Sequence, residues 1–290
     1  MKIILKPKSS NLDEYIKRGA SAFLFGFNDL SLEGSGIISF EELEKITKIY
    51  KTKEIFVRLD LNYFNKDLPF LLDMLKKLEK LNIQGVLFYD LAIINLVKEN
   101  NLNLNLIWNQ NYFVTNSKSI NFYDSLGIKG AVLTSEITTE EMKEIANKVK
   151  IPLFVNLFGY QLMAVSKRKF ITHYLEAVSE EKEDEDYLFF EDENKYKIKE
   201  SNKGSIMLSN NILNGIVKVK ELKGAGLKYL IIDSFEIEER TILDIITYYK
   251  EAIITDDEKE LVNLESKIKE LLPNTFIGFL DKKTIYQVKR

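Results

Sequence analysis

One stretch constrains the fold of this chain more than any other: Asn105–Glu136, NLIWNQNYFVTNSKSINFYDSLGIKGAVLTSE. It opens on a short apolar run, Asn105–Trp108, which ends in Asn109. Ile120, Phe122, Tyr123 and Leu126 then recur at a spacing that suits one face of a helix, and Gly127 stops that helix. Ala131–Leu133 is a second apolar run, ending in the polar Thr134, Ser135 and Glu136. Two strands joined by a crossover helix run parallel and make a βαβ unit. In such units the ends of the strands carry the chemistry, and here those ends are Asn109 and Glu136.

The same order recurs along the chain. Further strand-like runs fall at Lys2–Leu5, Ala22–Phe27, Ile55–Leu61, Gly85–Tyr89, Pro152–Phe158 and Leu227–Ile232. Between them lie helical patterns at Leu12–Arg18, Leu91–Glu99, Thr139–Val149, Asn211–Leu222 and Arg240–Ala252. Ser39 with Glu42 reads as a capping box for a helix running to about Tyr50. Leu71, Leu72, Leu75, Leu78 and Leu81 mark another helix over Leu68–Leu81. Strands alternating with helices in this number predict an α/β fold, a closed (β/α)8 TIM-like barrel over residues 1–255. The competing open doubly wound sheet normally has fewer strands. Tyr160–Asn211 is far longer than an ordinary βα loop and is expected as a rim insertion, 160–211, after the seventh strand. It carries SKRK at Ser166–Lys169, an acidic run at Glu180–Asp186 and an apolar run at Tyr187–Phe190. Residues 256–290 are expected as a C-terminal helical tail packed on the barrel, with a helix near Leu261–Leu272 and a last apolar piece, Phe276–Leu280.

Composition narrows the chemistry. The 290 residues are 45% hydrophobic and 29% charged, as in a soluble globule. A formal net charge of −3 provides no global field to draw nucleic acid or anionic lipid. There is no cysteine, which excludes disulfides, thiolate metal sites, a cysteine-ligated iron–sulfur cluster and a cysteine nucleophile. The single histidine, His173, excludes multi-histidine metal sites and reads as a surface or structural residue. No apolar run approaches a membrane span, and the first residues carry too short an apolar run for a signal peptide, so the expected location is the cytoplasm. The phosphate-loop, dinucleotide, zinc-protease and serine-hydrolase motifs are absent.

What remains is a ring of polar residues where strands end. Arg58 and Asp60 alternate with Asn62 and share one face of a strand. Asp90, Asn109, Glu136, Asn156 and Asp233 stand at the ends of other strands, and in a barrel such ends converge on the site. Asp90 and Asp233 also fit the role of helix caps. Arg58 and Arg168 are the natural anion anchors, because a guanidinium holds a carboxylate or phosphate with two bonds. Lys167 and Lys169 flank Arg168. Trp108 is expected in the core.

The succession GASAFLFGF, IFVRLDLNYFNKDL, GVLFYD, IWNQNYFVTNSKSINFYDSLGIKGAVLTSEI and FVNLFGYQLMAVSKRKF resembles the collagenase-like peptidases, family thirty-two of the unknown-mechanism peptidases. The likeness runs along nearly the whole chain. Phe189–Asn194, Ile206–Ile212 and Gly278–Tyr286 look like the shorter member of the paired Firmicute proteins of that family. The resemblance implies a part in prephenate-dependent 5-hydroxylation of the tRNA wobble uridine, with prephenate as hydroxyl donor and a larger paralogue and tRNA as partners. Relatives bind a [4Fe–4S] cluster through cysteines near an S-x-R turn. Here Leu162 and Lys169 stand where two of those cysteines align, Phe158 stands at a common histidine, and Gly159 and Arg168 are kept. No cofactor is therefore expected in the chain. Two function classes stay open, an RNA-modification protein and a peptidase, with a non-catalytic scaffold as a third. In the first, Arg58, Arg168, Lys167 and Lys169 hold anionic groups while Asn109 and Glu136 orient the reacting group. In the second, Glu136 and Asp233 activate water as a pair.

Overall fold

Short runs of Ile, Leu, Val and Phe, bounded by polar or glycine-bearing turns, form the strands of the computed structural model, which describes residues 1–180, 186–191 and 194–282. In chain order these are β1 (Lys2–Lys6), β2 (Ala22–Phe27), β3 (Ile37–Ile38), β4 (Glu54–Leu59), β5 (Gly85–Phe88), β6 (Leu106–Trp108) and β7 (Gly130–Leu133). There follow β8 (Leu153–Ser166), β9 (Asp186–Glu191), β10 (Asn194–Ser201), β11 (Gly204–Asn214), β12 (Tyr229–Asp233) and β13 (Thr275–Phe276). β1, β2, β4, β5, β6, β7, β8 and β12 pair in parallel in that order, and β12 pairs with both β8 and β1, so the sheet closes on itself. Helices alternate with these strands at Asp13–Arg18, Phe40–Ile49, Leu68–Glu79, Ala92–Glu99, Ser117–Ser125, Thr139–Ala146, Val219–Gly224 and Glu239–Ile254. The fold is an eight-stranded parallel barrel ringed by helices, as the repeated βαβ grammar predicts.

Closure sorts side chains by parity. One parity fills the lumen: Ile4, Leu24, Phe56, Leu87, Ile107, Val132, Phe154 and Ile231 form a buried cluster with Ala22 and Tyr229. Phe154 stacks on Tyr229 with ring centroids 4.4 Å apart, and Phe56 meets the two rings edge-on at 5.7 and 5.6 Å. The opposite parity packs outward under the helices, where Trp108 is buried against Tyr123. The Ser39–Glu42 capping box is present, and a second one joins Thr138 to Glu141. Such caps satisfy backbone donors that a helix cannot satisfy within itself.

Past the barrel rim the chain departs from the sequence reading. β8 does not stop at Phe158; it runs to Ser166 and pairs antiparallel with β11. That pairing draws Ile212, Leu213 and Asn214 into a ladder with Tyr160, Gly159 and Phe158. The expected helix over Asn211–Leu222 is therefore corrected: its first residues are strand, a 3-10 turn covers Ile216–Lys218, and the helix is only Val219–Gly224. Ile212, Ile216, Val219 and Leu222 have helical spacing, but long-range pairing overrides it. β10 and β9 extend the same antiparallel sheet, and a helix at Phe170–Val178 connects it to the rim. Most of the acidic run Glu180–Asp186 and the last residues of the chain, including the end of the 278–286 stretch, lie outside the described residues. The Glu258–Leu271 helix lays Leu261, Leu264 and Ile268 into the core shared with the barrel helices, and β13 pairs with β11. Among the described residues no helix is long and apolar enough to cross a membrane.

Candidate functional site

The site is one strand step above the apolar lumen. Two residues beyond each inward apolar side chain, the chain carries Lys6, Gly26, Arg58, Tyr89, Asn109, Thr134, Asn156 and Asp233. Parity puts this tier on the inner face, at the carboxyl ends of the strands. All but Gly26 line a cavity of about 290 Å³ together with Asp60, Tyr112, Glu136, Lys167 and Lys203. The gap at Gly26 is used: a Cβ there would lie 2.8 Å from Ser31 Cβ and 3.0 Å from Arg58 Nε.

Two ion pairs structure the tier. Lys6 and Asp233 are register partners on β1 and β12, and Lys6 Nζ donates to Asp233 Oδ2 at 2.6 Å. Asp233 Oδ1 accepts from the Phe235 amide, which fixes the carboxylate in the turn after β12. Arg58, only 3% exposed, donates from Nη1 to Asp60 Oδ2 at 2.7 Å. Its Nη2 donates to the carbonyls of Leu32 and Ser35, and Asp60 Oδ1 accepts from the Leu32 amide. Both ends of the guanidinium fork are thus committed to Asp60 and to the loop after β2. Arg58 Nε has no hydrogen-bond partner.

The insertion leans over the same mouth. Lys197 and Lys199 on β10 bond Glu236 at 2.6 and 2.7 Å. Burial pushes the Glu236 carboxyl up, but the two lysines outweigh it and hold the group below its usual range. Tyr112 reaches across the mouth to donate to the carbonyls of β8 at Leu162 and Met163. The β10–β11 turn brings Lys203 inward. Lys203 is 9% exposed, its Nζ makes no hydrogen bond, and the Glu33 carboxylate stands 4.0 Å away. Burial depresses its pKa; Glu33 opposes that shift and Arg58 adds to it. Glu136 stands at the mouth, where partial desolvation raises its carboxyl above the usual range. Burial and the nearby Glu136 raise the Tyr112 hydroxyl in turn.

Of the residues expected from sequence, Asn109, Glu136, Asp233, Arg58, Asp60, Asn156 and Lys167 line this one cavity. Asp90 and Arg168 do not. The Asp90 carboxylate accepts from the Tyr63 and Ala92 amides at 2.8 and 2.9 Å, in the turn just ahead of the Ala92–Glu99 helix, whose N-cap is Leu91. Arg168 is exposed in the turn between β8 and the Phe170–Val178 helix, and its carbonyl accepts from Ser205. Lys167 lines the mouth with its Nζ 3.8 Å from the Phe64 ring centroid. His173 is exposed beside Glu176. Lys6, Tyr89, Thr134 and Lys203 are among the residues that sequence reasoning missed. The first three could have been found by counting two residues on from each inward apolar position. Lys203 carries no such signal, because only the fold of the insertion returns it to the barrel.

Among the described residues no group of three or more His, Asp or Glu side chains is arranged to hold a metal ion. The cluster of cysteine-bearing relatives does not fit this donor set: Leu162 lines the cavity with an aliphatic side chain and Lys169 carries an ammonium.

The family model described as Peptidase family U32 matches residues 8–284. The tRNA hydroxylation protein P2 of Bacillus subtilis (strain 168) is 26% identical over 98% of each chain. The tRNA hydroxylation protein P1 of the same organism is 25% identical over 55% of this chain and 38% of its own length. Among solved structures, the U32 peptidase Mk0906 aligns at a TM-score of 0.46 and 16% identity, over 55% of this chain and 68% of that one. A 2,3-dimethylmalate lyase aligns at a TM-score of 0.47 and 9% identity, over 93% and 92%. The chain is a distant homologue of the two hydroxylation proteins, and with a family match spanning nearly its whole length it belongs to peptidase family U32.

Proposed function

We propose that this chain acts in the cytoplasm in the hydroxylation of tRNA, at C5 of the wobble uridine, with prephenate as hydroxyl donor and a larger paralogue as partner. In this reading it is the shorter member of the pair. The end-to-end likeness to a tRNA hydroxylation protein supports the reaction class. The observation that carries the reading is the polar tier itself: Lys6, Arg58, Asn109, Asn156 and Asp233 surround one small-molecule-sized cavity on a chain that has no thiol. Asn109 and Asn156 offer amides that orient a polar ligand, Glu136 offers a carboxyl that partial burial makes more basic, and the Lys6–Asp233 pair fixes the local charge. Asp60 and Arg58 keep the mouth loop in register, Lys167 guards the entrance, and Asp90 and Arg168 support the rim.

The family name favours a second reading, proteolysis, and one observation speaks for it: burial makes the Glu136 carboxylate more basic than an ordinary one. A peptidase needs an activated nucleophile or a metal-bound water. The sole His173 is exposed on a surface helix and there is no cysteine, so neither a histidine-activated nor a thiolate nucleophile stands in the cavity. The test is mass analysis of tRNA nucleosides from a deletion strain, complemented with wild type, Asp233→Asn or Glu136→Gln. Loss of the hydroxylated nucleoside, restored by wild type alone, is expected. Full restoration by both variants would make the chain a scaffold. Casein or gelatin cleavage that persists through purification and vanishes in either variant would favour the peptidase.

A further inference from the structure

We propose that Lys203 and Arg58 form an oxyanion site at the inner edge of the cavity, built to take one carboxylate or phosphate group of a small molecule. The inference rests on this cavity being the working site of the proposed function. Two cationic side chains there carry unused donors. Lys203 Nζ and Arg58 Nε make no hydrogen bond, with the side chains only 9% and 3% exposed. Orphaned buried donors are costly, and charged ones most of all.

The chain does satisfy a partly buried cation in the same cavity where a structural role requires it. Lys6 faces Asp233 at 2.6 Å. Lys203 has only Glu33, 4.0 Å away and half-exposed, which is beyond hydrogen-bond reach. Nor is Lys203 inward by slack. Its amide donates to Ser201 Oγ, and the next residue, Gly204, turns at φ +119°, where a Cβ would lie 2.0 Å from the Ser166 carbonyl oxygen. A tight hairpin therefore aims the lysine at the barrel. Arg58 is held from the other side by Asp60 and the loop carbonyls, with Nε left over. An oxyanion at Lys203 would meet the free ammonium donors in charge-assisted bonds stronger than neutral ones, and the Arg58 guanidinium, whose charge already acts on that ammonium, would favour it further. The cavity, about 290 Å³, admits a small organic acid or phosphate ester.

The experiment uses the isolated full chain at low ionic strength, with malonate and inorganic phosphate as separate calorimetric probes and chloride as the control. Binding of either probe, weakened about thirtyfold or more in Lys203→Met and recovered in part by Lys203→Arg, is the expected result. Whichever probe binds more tightly names the source, carboxylate or phosphate. Lys203→Met should also melt higher than wild type, because it removes a buried ammonium that makes no hydrogen bond and has its ion-pair partner, Glu33, 4.0 Å away. If the methionine variant fails to fold, Lys203→Gln replaces it, and wild-type malonate affinity is followed against pH. The charges of Asp29, Glu33, Arg58 and Asp60 all act on the ammonium, whose pKa burial depresses. Affinity should therefore be full below that pKa and fall as pH rises through it, at a lower pH than an ordinary lysine would require. Absence of binding by both probes, or binding unchanged in the Lys203 variants, overturns the site. Lys203-dependent binding with unaltered tRNA in the deletion strain would keep the site and remove the hydroxylation reading. Altered tRNA with no anion binding would do the reverse.

Discussion

The lumen of this barrel has two tiers only two residues apart, and they answer to different demands. The lower tier, Ile4, Leu24, Phe56, Leu87, Ile107, Val132, Phe154 and Ile231, is apolar and closed. The upper tier, Lys6, Arg58, Tyr89, Asn109, Thr134, Asn156 and Asp233, is polar and opens on the cavity. The same strands supply both at the same parity, so backbone geometry does not separate them. What differs is how each tier meets its neighbours. The lower tier needs only volume, whereas every polar group above it needs a partner or a use. Stability and chemistry are thus stacked along one axis.

Five substitutions test that division. Phe154→Ala removes the ring between Phe56 and Tyr229 and should lower stability by about 3–5 kcal/mol, read by chemical denaturation. A loss below about 1 kcal/mol would mean that the lower tier is not the keystone described here. Asp233→Asn deprives the partly buried Lys6 of its carboxylate and should cost about 1–3 kcal/mol. The protein should remain folded while the modified nucleoside disappears; retained modification would reduce the pair to a structural brace.

Glu136→Gln should leave stability within about 0.5 kcal/mol, since the side chain stands at an exposed mouth. Its informative readout is pH. A carboxyl with a raised folded pKa favours the native state most when protonated, and that advantage is lost as pH rises from the unfolded value through the folded one. The glutamine variant should flatten stability across that window; an unchanged profile would show that the mouth does not desolvate Glu136. Smallest of all, Lys167→Ala and Arg168→Ala should lower modification only modestly, as expected of exposed cations screened by salt. Complete loss with Arg168→Ala would move the working site outward from the upper tier to the rim, where the family's S-x-R turn lies.

The barrel was legible because its strands and helices are set by local pattern. The continuous apolar runs of β2 and β4 and the leucine spacing of Leu68–Glu79 each report their own burial. Much of the candidate site was legible for the same reason: polar residues at the ends of apolar runs converge once a barrel closes. The insertion was not. Asn211–Asn214 reads as the start of a helix until β8, about fifty residues earlier, is known to extend past the rim and claim it. Lys203 sits in ESNKGS, which reads as a solvated hairpin turn. Only the path of β10 and β11 across the mouth turns that lysine into a lining residue. Arg58 shows the limit in another way. Residue type suggested an open fork, but three local acceptors already occupy it.

The continuous ladder from β8 into β11 has a practical consequence for exchanging parts among relatives. Residues 160 and 211 look like natural places to cut, yet both fall inside strands, and Tyr160 is the register partner of Ile212. A graft spliced there would join two half-strands from different parents in the middle of their hydrogen bonds. Seams at Leu153, where β8 begins, and in the stretch after Asn214 would carry the whole ribbon across intact. The insertion is therefore inherited together with a stave of the barrel wall, and a transplanted mouth would bring its own wall with it.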